Sequence, residues 1–479
     1  MRRNIAAALA ISVMLCLTGC QGIIPFVDET VATTEAPADT EEELQPGPPR
    51  EDWETIAAFP ENIGKTQIEE EKDGVKLIVA TDIHYLASEL TDKGTGFIHS
   101  MEYGDGKVTN YIWEITDAFV AEVLDERPDG VILSGDLSYN GEKASHLELA
   151  EKLGRIKDAG IPVLVIPGNH DINNNSAARI EEDQRFPAEK TSPEDFRSIY
   201  RAFGYEDAIS WDPNSLSYIY QINDYTRILM LDTCQYDDRA LVGGMIDTDT
   251  YEWIDRELEK AFEEGINVLP VAHHNLLEES RIYSEDCTIE HNEELLERLE
   301  GWGNIPLFLS GHLHVQHFSN SDDVSGDGVW EIVTSSLAVP PCQYGVLFFG
   351  DDRSFHYHTQ ILNMEMWTKV EGKTDPNLVN FSQYQTPFLK RVFYNQANSW
   401  LDRRKDVLTQ DQIVQMSNFY ATAKCYYYWG RAVEIAEEMK SSQIFQLWQE
   451  YGYPSLETEY LEYILEEATM DYNSLRSEE

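Results

Sequence analysis

Five short apolar runs, each ending in a polar cluster, constrain this chain more than any other feature. Lys76-Leu77-Ile78-Val79-Ala80 leads into Thr81-Asp82-Ile83-His84, and Val131-Ile132-Leu133 leads into Ser134-Gly135-Asp136. Pro162–Ile166 runs into Pro167-Gly168-Asn169-His170-Asp171, Val268–Ala272 into His273-His274-Asn275, and Pro306–Leu309 into Ser310-Gly311-His312-Leu313-His314. Short runs rich in β-branched residues read as strands buried on both faces. Tyr111–Leu124, Glu142–Lys157 and Thr250–Glu263 carry helical periodicity between them. Strands alternating with helices predict an α/β fold of layered β-sheets flanked by helices. Ligands of such sheets bind beyond the carboxyl ends of the strands, where all five clusters fall. A lone histidine or Gly-Asp pair carries little weight; five clusters in series point to one site.

Charge narrows the ligand. The 479 residues hold 36 Lys+Arg against 86 Asp+Glu, a formal net charge of −50. A polyanion of this strength repels DNA, RNA and anionic lipid, which excludes a nucleic-acid polymer as partner. With 42% apolar residues the chain still builds real cores and is no disordered acidic tail.

The N-terminus reads as an address. Arg2-Arg3, an apolar run from Ile5 to Leu17 and the closing Leu17-Thr18-Gly19-Cys20 form an export signal over residues 1–19. The L-T-G-C resembles a bacterial lipobox, which implies lipidation of Cys20 and an extracytoplasmic protein held at the membrane through that anchor only. Residues 20–52, with Pro25, Pro37, Pro46, Pro48 and Pro49 and no apolar period, are expected to be a disordered tether. Cleavage before Cys20 removes two arginines and no acid, taking the charge from −50 to −52.

In order and type, Asp82/His84, Gly135-Asp136, Gly168–Asp171, His273-His274 and Gly311–His314 resemble the motifs of the calcineurin-like metallophosphoesterases. The similarity runs from about Leu77 to Gln360. Ala80–Leu86, Asn140-Gly141-Glu142 with Ser145-His146, and Leu362–Glu365 are most similar to the cyclic-nucleotide phosphodiesterases secreted by Gram-positive bacteria. The resemblance implies a metallophosphoesterase domain over 70–365 that hydrolyses cyclic nucleotides or related small phosphodiesters. Asp82, His84 and His314 would hold one divalent ion, Asn169, His273 and His312 the second, with Asp136 shared, and a hydroxide between the two ions would attack phosphorus. His273 is taken over His274 because the first histidine of the family's pair is the ligand. His170 is implied as general acid, with Asp171 beside it as a candidate orienting group, and Tyr139 and Asn140 as substrate contacts. A carboxylate, amide and imidazole set without thiolate suits Mn, Fe or Zn.

Other readings stay open on sequence. Gly135-Asp136-Leu137-Ser138-Tyr139 also resembles the purple acid phosphatase motif, although His84 makes a tyrosine ligand redundant. Phosphomonoesterases and nucleotidases use the same ligands, and a non-catalytic solute-binding lipoprotein is a third class. The oligomeric state is left open.

Residues 171–224 form a polar insertion, with Ser192-Pro193-Glu194-Asp195 as a helix start. Residues 371–479 read as a small helical domain, opened in part by the capping box Thr409-x-x-Gln412. The aromatic run Tyr426–Trp429 is expected to pack in the core or between domains. His356 and His358 share one strand face, expected to be solvated. Cys234, Cys287, Cys342 and Cys425 show no paired spacing; buried free thiols are the favoured state, with disulfides left open.

Overall fold

Each apolar run becomes a strand, and their parallel registers bring the polar clusters to one end. The computed structural model describes residues 73–477, apart from 182–183, 280–281, 283–285 and 323–327. Cys20, the export signal and the tether lie outside the described residues. In chain order the strands are β1 (Gly74–Ala80), β2 (Gly130–Leu133), β3 (Val163–Val165), β4 (Ala178–Glu181), β5 (Gln184–Pro187), β6 (Ser210–Trp211), β7 (Tyr218–Gln221) and β8 (Thr226–Leu231). β9 (Asn267–Ala272), β10 (Leu307–Ser310), β11 (His317–Asn320), β12 (Trp330–Val333), β13 (Gln343–Gly350), β14 (Phe355–Ile361) and β15 (Ser474–Arg476) follow.

One six-stranded sheet runs β15-β14-β13-β1-β2-β3, and a seven-stranded sheet runs β11-β12-β10-β9-β8-β7-β6. Parallel pairing sets Ala80 against Leu133 and Leu133 against Val165, so the first three loops leave the first sheet level. Leu231 likewise faces Ala272, and Leu309 faces Val271, in the second.

The strands are buried on both faces because each sheet meets the other sheet on one side and helices on the other. Along β8, Ile228 and Met230 join the core shared with β1 and β2, whereas Leu229 and Leu231 pack with Trp253, Ile254 and Leu258 of the helix Thr248–Glu264. The helices Ile112–Glu126, Lys143–Asp158 and Thr248–Glu264 match the three periodic segments to within two residues at either end.

The insertion holds the β4–β5 hairpin and the helix Pro193–Ile199, whose Ser192 and Asp195 form a capping box. Met364–Val370 opens the helical region earlier than expected, and Thr409 and Gln412 cap Gln410–Tyr428 reciprocally. The C-terminal region is not purely helical. β15 returns to pair with β14, setting Leu475 opposite Tyr357, so the chain end closes the first sheet's edge. Trp429, 2% exposed, donates its indole N–H to Pro340 O at 3.0 Å, which ties the helical region to the catalytic one. His356 and His358 are not on a solvated face: His356 is buried, and burial pushes the His358 pKa down to about 4. Cys234, Cys287, Cys342 and Cys425 are free.

Candidate metal centre

The five clusters converge where the two sheets' strand ends meet. Asp82 N bonds Gly135 O at 3.0 Å, Gly311 N bonds His273 O at 3.0 Å, and His312 N donates to Asp82 Oδ2 at 3.0 Å across the sheets. Asp82, His84, Asp136, His312 and His314 all have positive φ, between 46° and 70°. Such backbone is uncommon for residues with a Cβ and clusters at functional sites. It turns each side chain back over the strand it has just left. Gly168 permits the closest approach: a methyl there would stand 2.8 Å from Asp136 Cγ and closer still to its Oδ1.

Two groups of ligand atoms form. Asp82, His84, Asp136 and His314 make one, and Asp136, His273 and His312 the other, with Asp136 common to both. His84 Nε2 and His314 Nε2 face each other at 3.0 Å, and His273 Nε2 lies 3.1 Å from Asn169 Oδ1 and 3.2 Å from His312 Nδ1. Each carboxylate has one oxygen taken by the protein and the other aimed inward. Asp82 Oδ2 accepts from Thr81 Oγ1 and His312 N, leaving the buried Oδ1 without a hydrogen-bond partner. Asp136 Oδ1 accepts from His170 N at 2.8 Å, leaving Oδ2 3.6 Å from His84 and 3.5 Å from His273. His273 Nδ1 donates to Ser134 O and His312 Nε2 to Asp286 O, which leaves the opposite nitrogen of each ring free to coordinate. Burial pushes the Asp136 carboxyl up, but the surrounding imidazoles, His273 foremost, hold it well below the usual range. Converging lone pairs, an orphaned buried carboxylate oxygen and an oxygen-nitrogen donor set fit a pair of divalent ions.

Residues flanking the centre are placed as firmly. His274 is outside both groups, its nitrogens bonded to Thr233 Oγ1 at 2.7 Å and Val242 O at 2.9 Å. His170 Nδ1 lies 3.0 Å from both Tyr139 O and Asn140 Oδ1, which leaves Nε2 4.0 Å from Asp136 Oδ2. Tyr139 and Asn140 thus contact His170, and the buried Asn140 Nδ2 has no partner. Asp171 makes no such contact. Its Oδ1 accepts from Ser138 N and Oγ and its Oδ2 from Leu137 N and Gly168 N, binding the second loop to the third.

Of three supporting elements, sequence reasoning missed two and named the third, His146, without giving it a role. Glu331 of β12 accepts from Leu276 N, Leu277 N and Ser310 Oγ, holding the fourth loop to the fifth; burial raises its pKa to about 7. His146 bonds Tyr200 Oη at 3.0 Å and Asp171 O at 3.1 Å, seating the insertion's helix against the third loop. Lys107 pairs with Asp105 and stands 5.6 Å from the centre of the Tyr139 ring, on a loop with no motif; only the glycines at 104 and 106 mark a turn there.

A family model described as calcineurin-like phosphoesterase matches residues 75–316, just over half of the chain. The chain belongs to that family. A second model, the C-terminal domain of cyclic nucleotide phosphodiesterase, matches residues 363–471. Among curated proteins, a glycerophosphodiester phosphodiesterase, GpdQ, of Enterobacter lignolyticus is 26% identical over 195 residues, which is 40% of this chain and 58% of that protein. The chain therefore spans less than two thirds of that relative's length. Similar solved structures include a dimetal phosphatase from Danio rerio, at a TM-score of 0.42 and 12% identity, covering 60% of this chain and 96% of that one. A purple acid phosphatase from yellow lupin has a TM-score of 0.39 and 13% identity, covering 60% and 52%.

Proposed function

We propose that this calcineurin-like phosphoesterase is a dinuclear-metal phosphodiesterase acting on cyclic nucleotides or related small phosphodiesters. The observation that carries the reading is the convergence of two ligand groups on one shared carboxylate, Asp136. The match of residues 363–471 to the C-terminal domain of cyclic nucleotide phosphodiesterase supports the substrate class. Asp82, His84 and His314 would hold one ion, Asn169, His273 and His312 the other, and Asp136 both. Two bound divalent ions supply a positive centre that binds phosphate oxygens and raises the acidity of water. Sequence leaves Mn, Fe and Zn as the candidate ions.

The chain's own groups do the rest. Asp171 and Glu331 hold the loops in register, so the ligands are preorganised before substrate arrives. Tyr139 O and Asn140 Oδ1 accept from His170 Nδ1, which orients Nε2 toward the cleft to protonate the leaving oxygen. A second reading, a glycerophosphodiester as substrate, is favoured by the GpdQ relative. Outside the cytoplasm, on a lipid anchor at Cys20, the enzyme would meet either class of small ester.

A screen of metal-reconstituted protein against 2′,3′- and 3′,5′-cyclic nucleotides, glycerophosphodiesters and mononucleotides tests this. Diesters are expected to turn over faster than monoesters, and only with metal. Preference for monoesters would replace the reading with a phosphomonoesterase or nucleotidase; no metal-dependent turnover would leave a solute binder.

A further inference from the structure

A buried ammonium stands beside the metal cluster. Lys107 is 4% exposed and pairs with Asp105 at 2.8 Å. Its Nζ lies 5.6 Å from the centre of the Tyr139 ring, and Tyr139 is the residue whose carbonyl orients His170. Hydrogen bonds link this loop to the first ligand group: Val108 N bonds Ala338 O, Ala338 N donates to Ser336 Oγ at 3.1 Å, and Ser336 Oγ donates to Asp82 O at 2.7 Å. His170 and His314 flank His84, each with ring centroids 5.0 Å away. The pair therefore lies beside the Tyr139 ring, on a loop tied to the one that carries Asp82 and His84.

The loop that carries it is built, not incidental. Val108 N bonds Ala338 O at 2.8 Å on its far side. The helix Phe381–Leu401 of the C-terminal region braces its near side: Gln396 Nε2 donates to Gly104 O at 2.8 Å, Asn395 Nδ2 to Glu102 O at 3.0 Å, and Arg391 pairs with Glu102 at 2.9 Å. Gly106 has φ +100°, and a methyl there would lie 2.6 Å from Leu389 of that helix. Burying an ammonium carries a solvation cost that a surface position avoids, and a chain of net charge −50 holds few cations to spare. One held rigidly at the mouth of a phosphate site has a use.

We propose that Lys107, oriented by Asp105, binds a non-bridging oxygen of the substrate's phosphoryl group, and that the C-terminal domain acts in catalysis by bracing the loop that presents it. The proposal rests on the phosphoesterase reading and adds a substrate-binding residue to the metal ligands. It also gives the helical domain a role at the site: Phe381–Leu401 sets the distance from the ammonium to the metal cluster.

Orthophosphate binding to the metal-loaded full-length protein, followed by calorimetry, tests this without requiring turnover. A charge-assisted hydrogen bond of about 1.5–3 kcal/mol corresponds to a loss of roughly ten- to a hundredfold in affinity. Lys107→Met removes the positive charge beside the Asp105 carboxylate, so Asp105→Asn/Lys107→Met is the decisive variant, since it keeps the local charge of the pair. Both variants are expected to bind orthophosphate ten- to a hundredfold more weakly, to retain two metal ions, and to raise KM more than they lower kcat. Lys107→Arg is expected to retain most of the affinity. Lys107→Gln replaces the methionine variants should they fail to fold. Wild-type affinity in the double variant would show that the ammonium merely neutralises Asp105; loss of metal from it would show a structural role. Either result overturns the proposal. A wild-type protein that binds orthophosphate but hydrolyses no ester would defeat the phosphoesterase reading while leaving this measurement intact.

Discussion

Gly168→Ala is the sharpest test of how the centre is assembled, because a single methyl falls between the two loops that present Asp136 and Asn169. At its ideal position that methyl lies 2.8 Å from Asp136 Cγ and nearer still to its N and Oδ1. Restoring ordinary contact requires a displacement of about 1 Å, and overpacking of this kind typically costs 1–3 kcal/mol. The loops cannot simply part. Gly168 N, Leu137 N and Ser138 N all donate to the one buried carboxylate of Asp171, so separation breaks those bonds. Asp136 must then move, and it is the residue common to both ligand groups. Metal sites tolerate only about 0.2 Å in ligand distance. Gly168→Ala is therefore expected to lose most bound metal and to fall by about 1–3 kcal/mol in urea unfolding of the metal-free protein. Gly154→Ala is the control: it lies in the helix Lys143–Asp158 with nothing within 4 Å of the added methyl. It should stabilise by up to about 1 kcal/mol through helix propensity and leave metal content alone. A Gly168→Ala protein that binds two ions at wild-type affinity and unfolds at the same urea concentration would refute the reasoning.

Three further outcomes follow from the same geometry. His170→Ala should keep its metals and lose about 10²–10⁴-fold activity on esters with alkoxide leaving groups, but little on a nitrophenyl ester, and steady-state rates on the two classes decide it. Burial raises the Glu279 pKa from 4.5 to about 8, so between those values the folded state holds a proton that the unfolded chain has lost. Stability should fall as pH rises through that window; Glu279→Gln should flatten the dependence in thermal unfolding at pH 5 and pH 8. The net charge of −50 repels an anionic substrate, and salt screens it beyond about 8 Å at physiological ionic strength. Hence kcat/KM should rise as salt is added, and a steep fall would contradict the electrostatic account.

The candidate ligand set was legible because metal chemistry restricts residue type at each position and strand ends restrict where they occur. Asp82, His84, Asp136, Asn169, His273, His312 and His314 all lie within five residues of the end of an apolar run, and the structure gathers all seven at one place. The strands and three main helices were readable from periodicity, since one buried face repeats at a fixed interval. Asp171 was recognisable as part of Gly-Asn-His-Asp, yet adjacency to His170 suggested the wrong partner: its carboxylate points the other way, to the N–H groups of Leu137, Ser138 and Gly168. The solvated face expected for His356 and His358 failed for a related reason. Strand alternation reports which residues share a face, but not what covers it, and there burial pushes the His358 pKa down to about 4.

Local spacing along single strands was enough for the layered α/β class, the candidate ligand residues and the family resemblance. Long-range contacts were needed to show that Glu331 and Asp171 lock the loops and that β15 returns to the first sheet. Long-range packing alone sets Lys107 beside the Tyr139 ring, on a loop braced by a helix that begins at Phe381. The physical reason is range. Periodicity and motif spacing act over a few residues, whereas contacts such as Gln396 to Gly104 join segments 292 positions apart, and nothing in either segment names the other.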